Sequence, residues 1–383
     1  MKRLHALLLL AWVSLSFAEP APQLTPLTAA VLAAPQAVLG SDGAKHLVYE
    51  VRIENATDQR FTFNTIEVLD DRGVVLLHLD SQAIATRLSL GGQRGRESNV
   101  LEGFQFGVAF LHVTIPGETP VPSSLAHVIA GYSALISSDV SMRIAKTHVN
   151  SSEPTLLAAP LQGGGYLAGD ACCDNVRHAR ALLPLDGRFF LGQRFAVDWE
   201  QIDDTGHIFS GDSKDVHSYK IYGKPVFAVA DGEVVATENE LYDQTPGALP
   251  QNLPLKDVDG NFAIIKLRDG VYAVYAHMVR HSVTVNAGDR VHRGQQIGKV
   301  GNTGNTQAPH MHFQLMDRPS TLAANGLPYV FERYEVTAVD LAGTEDFDRA
   351  ESTGTPLTLT PENPPIQGRQ SLPLDLTIVT WGK

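Results

Sequence analysis

The stretch FAIIKLRDGVYAVYAH (residues 262–277) decides the fold class of the second half of the chain. Two runs rich in β-branched and aromatic residues, 262–267 and 271–277, flank an Arg-Asp-Gly turn, and this pattern predicts a β-hairpin. PVFAVADGEVVAT (225–237), with Asp-Gly at its centre, predicts another. The run 271–277 ends in His277, so we expect a β-domain whose strand ends present polar side chains to a cleft.

A second stretch, HMHFQLM (310–316), places two histidines two residues apart. If it forms a strand, His310, His312 and Gln314 share one face and the apolar residues between them share the other. Two imidazoles seated on a hydrophobic backing suit a metal ion, or a ligand paired with a base. RFAVD (194–198) is another strand-like run, and it ends in an aspartate.

Length and composition limit the possible classes of function. The chain has 383 residues, enough for two or three domains, and its apolar fraction of 43% supports a sizeable core. The formal charge of -12 disfavours nucleic acid as a partner, because phosphate binding depends on Lys and Arg. After the N-terminal segment, the sequence has no apolar run long enough to span a membrane.

The N-terminal segment, residues 1–18, has the pattern of a secretion signal. Lys2 and Arg3 precede an apolar run that is too short to span a bilayer, and Ser16-Phe17-Ala18 offers the small residues that a signal peptidase recognises. A buried N-terminal helix is the alternative. We expect export, cleavage after Ala18, and a mature protein that works in the periplasm or outside the cell.

The sequence pattern of the whole chain predicts an all-β protein. Short strands separated by turn signals over residues 25–150 predict an immunoglobulin-like β-sandwich. The prolines and glycines of 151–179 predict a linker, 180–337 a second β-domain, and 338–383 a polar C-terminal tail. The stretch 240–260 predicts a long loop, and a loop of that length inside a compact domain is often functional.

The two cysteines of the chain, Cys172 and Cys173, are adjacent. They can form a vicinal disulfide or remain two thiols. With His178 nearby a metal site is conceivable, but two thiols and one histidine fall short of the four ligands of a structural zinc site. We therefore favour a structural role for the pair.

Taken together, several motifs resemble the catalytic domain of the lysostaphin-type zinc endopeptidases, which cut peptide cross-bridges of bacterial cell walls. The resemblance covers about residues 180–318 and does not extend to the predicted sandwich. It implies an antiparallel β-sheet peptidase domain and a cell-wall peptide as substrate. The motifs that carry it are RFAVD, GKPVFAVADGEVV (223–235), YAHM (275–278), AGDRVHRGQQIGKVGNTGNT (287–306) and APHMHF (308–313).

The resemblance also implies a zinc site. In the family, the metal is held by a histidine, by an aspartate four residues later, and by the second histidine of a His-x-His pair. Carried over, Asp198 and His312 would be zinc ligands, while His310 and His277 would orient or deprotonate the water and stabilise the oxyanion. Zinc would lower the pKa of that water and polarise the scissile carbonyl. Arg194 stands in the position of the first ligand, and a guanidinium has no lone pair to donate.

Arg194 leaves this site one ligand short, since catalytic zinc normally has three protein ligands. Its side chain can pair with Asp198 and replace the charge of the metal, or it can point elsewhere and leave room for a substitute ligand. His207 and His217, in the charged segment after Asp198, are the candidates for that role. Two functions stay open: a zinc endopeptidase, or a catalytically degenerate relative that binds wall peptides or regulates a partner hydrolase.

Overall fold

The computed structural model describes residues 24–93 and 95–382. The predicted secretion signal, residues 1–18, lies outside the described residues. The described chain is β-rich, which confirms the predicted fold class. Among the residues that the structure describes, no helix is both long enough and apolar enough to cross a membrane.

The first part of the described chain folds into two antiparallel sheets that enclose an apolar core. The strands are β1 (Leu27–Val31), β2 (Val38–Leu39), β3 (Lys45–Asn55), β4 (Phe61–Leu69), β5 (Val75–Asp80), β6 (Leu88–Leu90), β7 (Val100–Leu101), β8 (Phe106–Ile115), β9 (Ser124–Ser133) and β10 (Ser138–His148), with helix α1 (Ser81–Arg87) after β5. One sheet has the order β1-β3-β8-β6, with β2 on β3. The other has the order β10-β9-β4-β5, with β7 on β4.

Strand β3 is buried on both faces, which is unusual for a strand of a two-sheet sandwich. Leu47 and Tyr49 point into the sandwich core. Because side chains alternate along a strand, His46, Val48 and Glu50 point the other way, and yet they are only 3%, 6% and 1% exposed. Val48 packs into the apolar core of the following domain. The outer face of β3 is therefore the face on which the two domains meet.

The second domain is built on one long sheet with the order β11-β23-β25-β12-β15-β22-β19-β18-β17-β20, and β24 pairs with β23. A hairpin, β13–β14, and a small sheet, β16–β21, flank it. The strands are β11 (Thr155–Leu157), β12 (Gly163–Gly169), β13 (Leu183–Leu185), β14 (Arg188–Phe190), β15 (Val197–Gln201), β16 (Pro225–Phe227), β17 (Gly232–Glu238), β18 (Asn261–Arg268), β19 (Val271–Met278), β20 (Arg290–Val291), β21 (Gln296–Lys299), β22 (Met311–Met316), β23 (Tyr329–Asp340), β24 (Leu359–Ser371) and β25 (Thr377–Trp381), and helix α2 (Thr344–Thr353) follows β23.

The structure differs from the predicted boundaries at both ends of this domain. The segment predicted as a linker, 151–179, supplies β11 and β12, and the segment predicted as a polar tail, 338–383, supplies β24 and β25. β12 pairs with β15 on one side and with β25 on the other. Its glycines serve packing: a Cβ on Gly164 would lie 2.6 Å from Oγ1 of Thr380.

The hairpin predicted over 262–277 is confirmed, since β18 and β19 pair on either side of the Asp-Gly turn. The hairpin predicted over 225–237 is wrong. β16 pairs with β21, while β17 pairs with β18 and β20. The Asp-Gly pair therefore marks a crossing from one sheet to another, which a local turn signal does not distinguish from a hairpin.

Three neighbouring strands in the middle of the long sheet bring the predicted site residues together. Asp198 on β15 lies opposite His312 on β22, and His312 lies opposite Ala276 on β19. On the reverse face of these strands, Phe313 and Tyr275 are fully buried in the apolar core. The alternation of the strands thus presents one polar row over a rigid hydrophobic support.

Candidate metal centre

Three side chains of the kind that bind metals meet above this central part of the sheet. Nδ1 of His312 lies 2.7 Å from Oδ1 of Asp198. His178, from the loop between β12 and β13, places Nε2 3.4 Å from Oδ2 of Asp198. The donor atoms of the three residues all lie within 4.8 Å of one another. Two histidines and one carboxylate are a ligand set found in catalytic zinc sites.

A backbone contact fixes the orientation of His178. Its Nδ1 donates a hydrogen bond to the carbonyl oxygen of Asp170 at 2.8 Å, so Nε2 is the atom that faces Asp198. Although burial opposes protonation, the charge of Asp198 raises the pKa of His178 to about 9. A cation bound among these donors would take the place of that proton.

The surroundings of His312 test whether the site fits a metal ion. Nδ1 faces Asp198, and Nε2 lies 3.0 Å from Oε1 of Gln314, whose amide nitrogen donates to the carbonyl of Thr321. Both ring nitrogens therefore face acceptor oxygens, and a neutral imidazole has only one N–H. With Nε2–H donated to Gln314, the lone pair of Nδ1 points at a carboxylate. Either a second proton on the ring or a cation between Nδ1 and the carboxylate satisfies both contacts, so the donor set is compatible with zinc.

His310, immediately before β22, flanks these three residues. Its Nδ1 donates to the carbonyl oxygen of Ala308 at 2.8 Å, and its Nε2 lies 3.5 Å from Oδ1 of Asp198. The backbone bond fixes the tautomer and leaves Nε2 available for chemistry beside the carboxylate.

His277 completes the cluster from the end of β19. Its φ of 60° is unusual for a residue other than glycine, and the strained backbone is held by a hydrogen bond from its N–H to the carbonyl of Asp259 at 3.0 Å. Nδ1 donates to the carbonyl of Thr303 at 2.7 Å. The ring centroid lies 4.6 Å from that of His310. Burial, together with His310 and His312, lowers the pKa of His277 well below its ordinary value, so its Nε2 is a proton acceptor at neutral pH.

Arg194 points away from this cluster. Nε and Nη2 donate to the two carboxylate oxygens of Glu50 on β3 at 2.8 and 2.7 Å, and Nη1 donates to the carbonyl of Gly326 at 3.0 Å. Both charged side chains are buried at the domain interface. Of the two arrangements that the sequence left open, the structure therefore has the one in which Arg194 does not pair with Asp198.

The two proposed substitute ligands lie in other surroundings. Nδ1 of His207 is 2.8 Å from Oγ1 of Thr205, and Nδ1 of the exposed His217 is 2.8 Å from Asp215. Within the described residues, neither belongs to a group of converging metal-ligand atoms. The residue that joins Asp198 and His312 is His178, which precedes them in the chain. The hairpin β13–β14 lies between His178 and Asp198, so no short spacing motif links the two.

The long loop over residues 240–260 reaches the cluster through Asp259. Its carbonyl holds the N–H of His277, and its side chain is buried close to His312, where burial raises the pKa of the carboxyl group. The length of the loop indicates a function, but no motif in the sequence points to Asp259. The loop thus supports the backbone of one histidine of the cluster.

The structure has a β-sheet domain with a candidate metal centre, and comparison with known proteins identifies the family. Peptidase family M23 matches residues 215–324, which include His277, His310 and His312. The chain is 31% identical over 111 residues to the lipoprotein NlpD of Yersinia enterocolitica, covering 29% of this chain and 94% of NlpD. The chain belongs to peptidase family M23.

Two further relatives carry names that state an activity. The chain is 33% identical over 96 residues to the peptidoglycan DD-endopeptidase ShyA of Vibrio cholerae, covering 25% of this chain and 18% of ShyA. It is 34% identical over 110 residues to the glycyl-glycine endopeptidase ALE-1 of Staphylococcus capitis, covering 28% of this chain and 26% of ALE-1. The match thus spans about a fifth to a quarter of the length of these two relatives.

Proposed function

We propose that this chain is an exported, zinc-dependent endopeptidase that hydrolyses peptide cross-links of bacterial peptidoglycan. The observation that carries the proposal is the convergence of His178, Asp198 and His312, with His277 and His310 beside them. The relatives named as DD-endopeptidase and glycyl-glycine endopeptidase support the substrate class. The signal-like start of the sequence supports export.

His178, Asp198 and His312 would hold the zinc ion. A bound zinc ion lowers the pKa of a water molecule and polarises the carbonyl of the scissile bond. Although burial opposes ionisation, His310, His178 and His312 hold the pKa of Asp198 well below its usual range, so the ligand is a carboxylate at neutral pH. One carboxylate and two imidazoles give the donor set the single negative charge that is common in catalytic zinc sites.

His277 and His310 would supply the acid–base and oxyanion roles. Their Nδ1 atoms are committed to the carbonyls of Thr303 and Ala308, so both rings act through Nε2. An uncharged ring can accept a proton from the attacking water and return it to the leaving amine. The same atom, when protonated, donates a hydrogen bond to the oxyanion.

The experiment measures zinc and hydrolysis together. The purified chain is analysed for metal by mass spectrometry and is then incubated with peptidoglycan sacculi and with a pentaglycine peptide. We expect one zinc ion per chain and new amino termini from one of the two substrates. The matched control is His310→Ala, which should keep zinc and lose hydrolysis.

Two results separate this proposal from its alternative. A folded chain that contains no zinc and cuts neither substrate would overturn the enzyme and would favour the catalytically degenerate relative. Binding of that zinc-free chain to sacculi, or stimulation of a separate wall hydrolase by it, would then identify the regulatory function.

A further inference from the structure

A second group of metal-ligand side chains lies where the sandwich meets the peptidase domain. His46 and His112 come from the neighbouring sandwich strands β3 and β8, and Cys173 comes from the loop after β12. Their donor atoms all lie within 4.8 Å of one another. His46 and Cys173 are 3% and 6% exposed. None of the three belongs to the centre around Asp198.

The two histidines are arranged as ligands of a shared ion would be. Nδ1 of His46 lies 2.9 Å from Nε2 of His112. Two nitrogens bound to one tetrahedral zinc ion at about 2.0–2.1 Å lie about 3.3 Å apart, so a shift of a few tenths of an ångström admits an ion. The 2.9 Å contact is also a hydrogen-bond distance, so a bound ion would take the place of the proton between the two rings.

Asp42 orients the first of these ligands. Its Oδ1 lies 3.1 Å from Nε2 of His46, and because a carboxylate only accepts, the proton of His46 sits on Nε2. Nδ1 then carries the lone pair that faces His112. A carboxylate behind an imidazole in this way is the arrangement that commonly fixes the tautomer of a metal-bound histidine.

The third donor, the sulfur of Cys173, is part of a disulfide bond and is therefore not a thiolate. Cys173 is bonded to Cys172. A disulfide sulfur is a weak ligand, whereas a thiolate is a strong one. A dithiol reductant supplies two electrons and two protons: the S–S bond breaks, both cysteines become thiols, and the dithiol becomes a disulfide. Loss of one proton from Cys173 to solvent then gives the thiolate.

The surroundings leave space for an ion and do not repel it. A cavity of about 10 Å³, about the size of one water molecule, is lined by His112 and Cys173, but not by His46, at the domain interface. Arg180 also lines this cavity, but its guanidinium is paired with Asp174 at 3.1 Å. Glu50 lines it as well and is paired with Arg194.

We propose that His46, His112 and Cys173 form a second, redox-gated metal site that takes zinc once the Cys172–Cys173 disulfide is reduced. Three N and S donors suit a borderline or soft ion such as zinc, and they do not suit magnesium or calcium. The bound ion would join two sandwich strands to the loop that carries His178. The site goes beyond the proposed peptidase activity and does not depend on it.

The test counts zinc ions per full-length chain under oxidising conditions and after reduction by a phosphine, which becomes a phosphine oxide and competes little for zinc. We expect one additional zinc ion after reduction. His112→Gln and Cys173→Ser should lose this ion and keep the one at Asp198. Replacement of zinc by cobalt should produce a thiolate-to-cobalt absorption band in the reduced wild type and not in Cys173→Ser.

The matched control is Cys172→Ser, which frees Cys173 without any reductant. This variant should bind the additional zinc ion under oxidising conditions. Equal zinc content in the oxidised and reduced wild type would overturn the proposal, and so would a folded Cys172→Ser chain without the additional ion. An additional ion that survives His112→Gln, with circular dichroism showing the native fold, would also overturn it.

Discussion

Arg194 and Asp198 stand four residues apart on one segment, and they face different parts of the molecule. Asp198 lies on β15 and faces His178 and His312. Arg194 lies in the turn before β15 and donates two hydrogen bonds to the carboxylate of Glu50 in the sandwich. In the family pattern both positions serve the metal. Here the first position joins the domains, and a histidine from another loop stands beside the aspartate in its place.

Arg194 and Asp198 differ in the charges that surround them as well as in the direction of their side chains. At the Arg194 end a single cation meets a single anion, both buried, and every guanidinium nitrogen donates a hydrogen bond. At the Asp198 end one carboxylate meets three imidazoles. The first arrangement is complete without an ion, whereas the second provides donors for one.

His178→Ala should have the largest effect, on zinc binding. The change leaves Asp198 and His312 as the ligands, and two ligands do not form a tight zinc site. We expect the zinc dissociation constant to rise by orders of magnitude in competition with a chromophoric chelator. His217→Ala is the matched control and should bind zinc as the wild type does. If His178→Ala kept tight zinc while His217→Ala lost it, the assignment of the third ligand would be wrong.

His277→Ala and His310→Ala should keep zinc and lose turnover. Acid–base assistance by one positioned side chain is worth about 10²–10⁴-fold in rate. We expect a loss of that size in the rate at which new amino termini appear, with the zinc content and the melting temperature retained. A variant that lost zinc along with activity would show that its histidine belongs to the ligand set.

Glu50→Ala should destabilise the fold and leave the proposed zinc ligands in place. It leaves Arg194 charged and unpaired inside the interface, and removing one partner of a buried ion pair costs about 3–5 kcal/mol. Urea unfolding measures this cost. The control is Arg60→Ala, which breaks the exposed pair with Glu102 and should change the free energy of unfolding by less than about 1 kcal/mol. Equal effects of the two variants would contradict a specific role for the buried pair.

Arg194→His should have the smallest effect on zinc affinity, although it restores the residue of the family pattern. The side chain at this position points at Glu50 and the carbonyl of Gly326, so a histidine there does not reach Asp198. We expect unchanged zinc affinity and a loss of stability similar to that of Glu50→Ala. A gain in zinc affinity by orders of magnitude would show that the turn before β15 can redirect its side chain toward the metal.

The contrast also explains which parts of the site the sequence could predict. Asp198, His277, His310 and His312 lie on or beside strands, where the alternation of side chains and short motifs determine the direction of each residue. The structure brings these four residues together. Strand alternation indicates the direction of each side chain, whereas the meeting of Asp198 and His312, which are 114 residues apart, was implied by the family resemblance.

Long-range contacts could not be predicted in the same way. The partner of Arg194 is Glu50, which is 144 residues away and in another domain, so nothing near Arg194 in the sequence indicates its direction. His178 reaches Asp198 from a loop whose course depends on contacts with the sandwich, among them the ion pair of Arg87 with Asp174. The glycines of β12 predicted a linker, although the segment forms a strand. Glycine is favoured both by flexible chains and by close packing of strands, so the sequence alone does not distinguish the two.

The position of β12 between β15 and β25 has a consequence for the order in which the molecule is built. Gly163 pairs with Trp381, and the N–H of Asp375 donates to the carbonyl of Cys172, where the loop that carries His178 begins. While the chain emerges from the ribosome, β12 has an open edge until β25 is available. The base of the His178 loop is therefore secured by residues that are made late, and a half-made chain lacks the support of the histidine proposed as the third ligand.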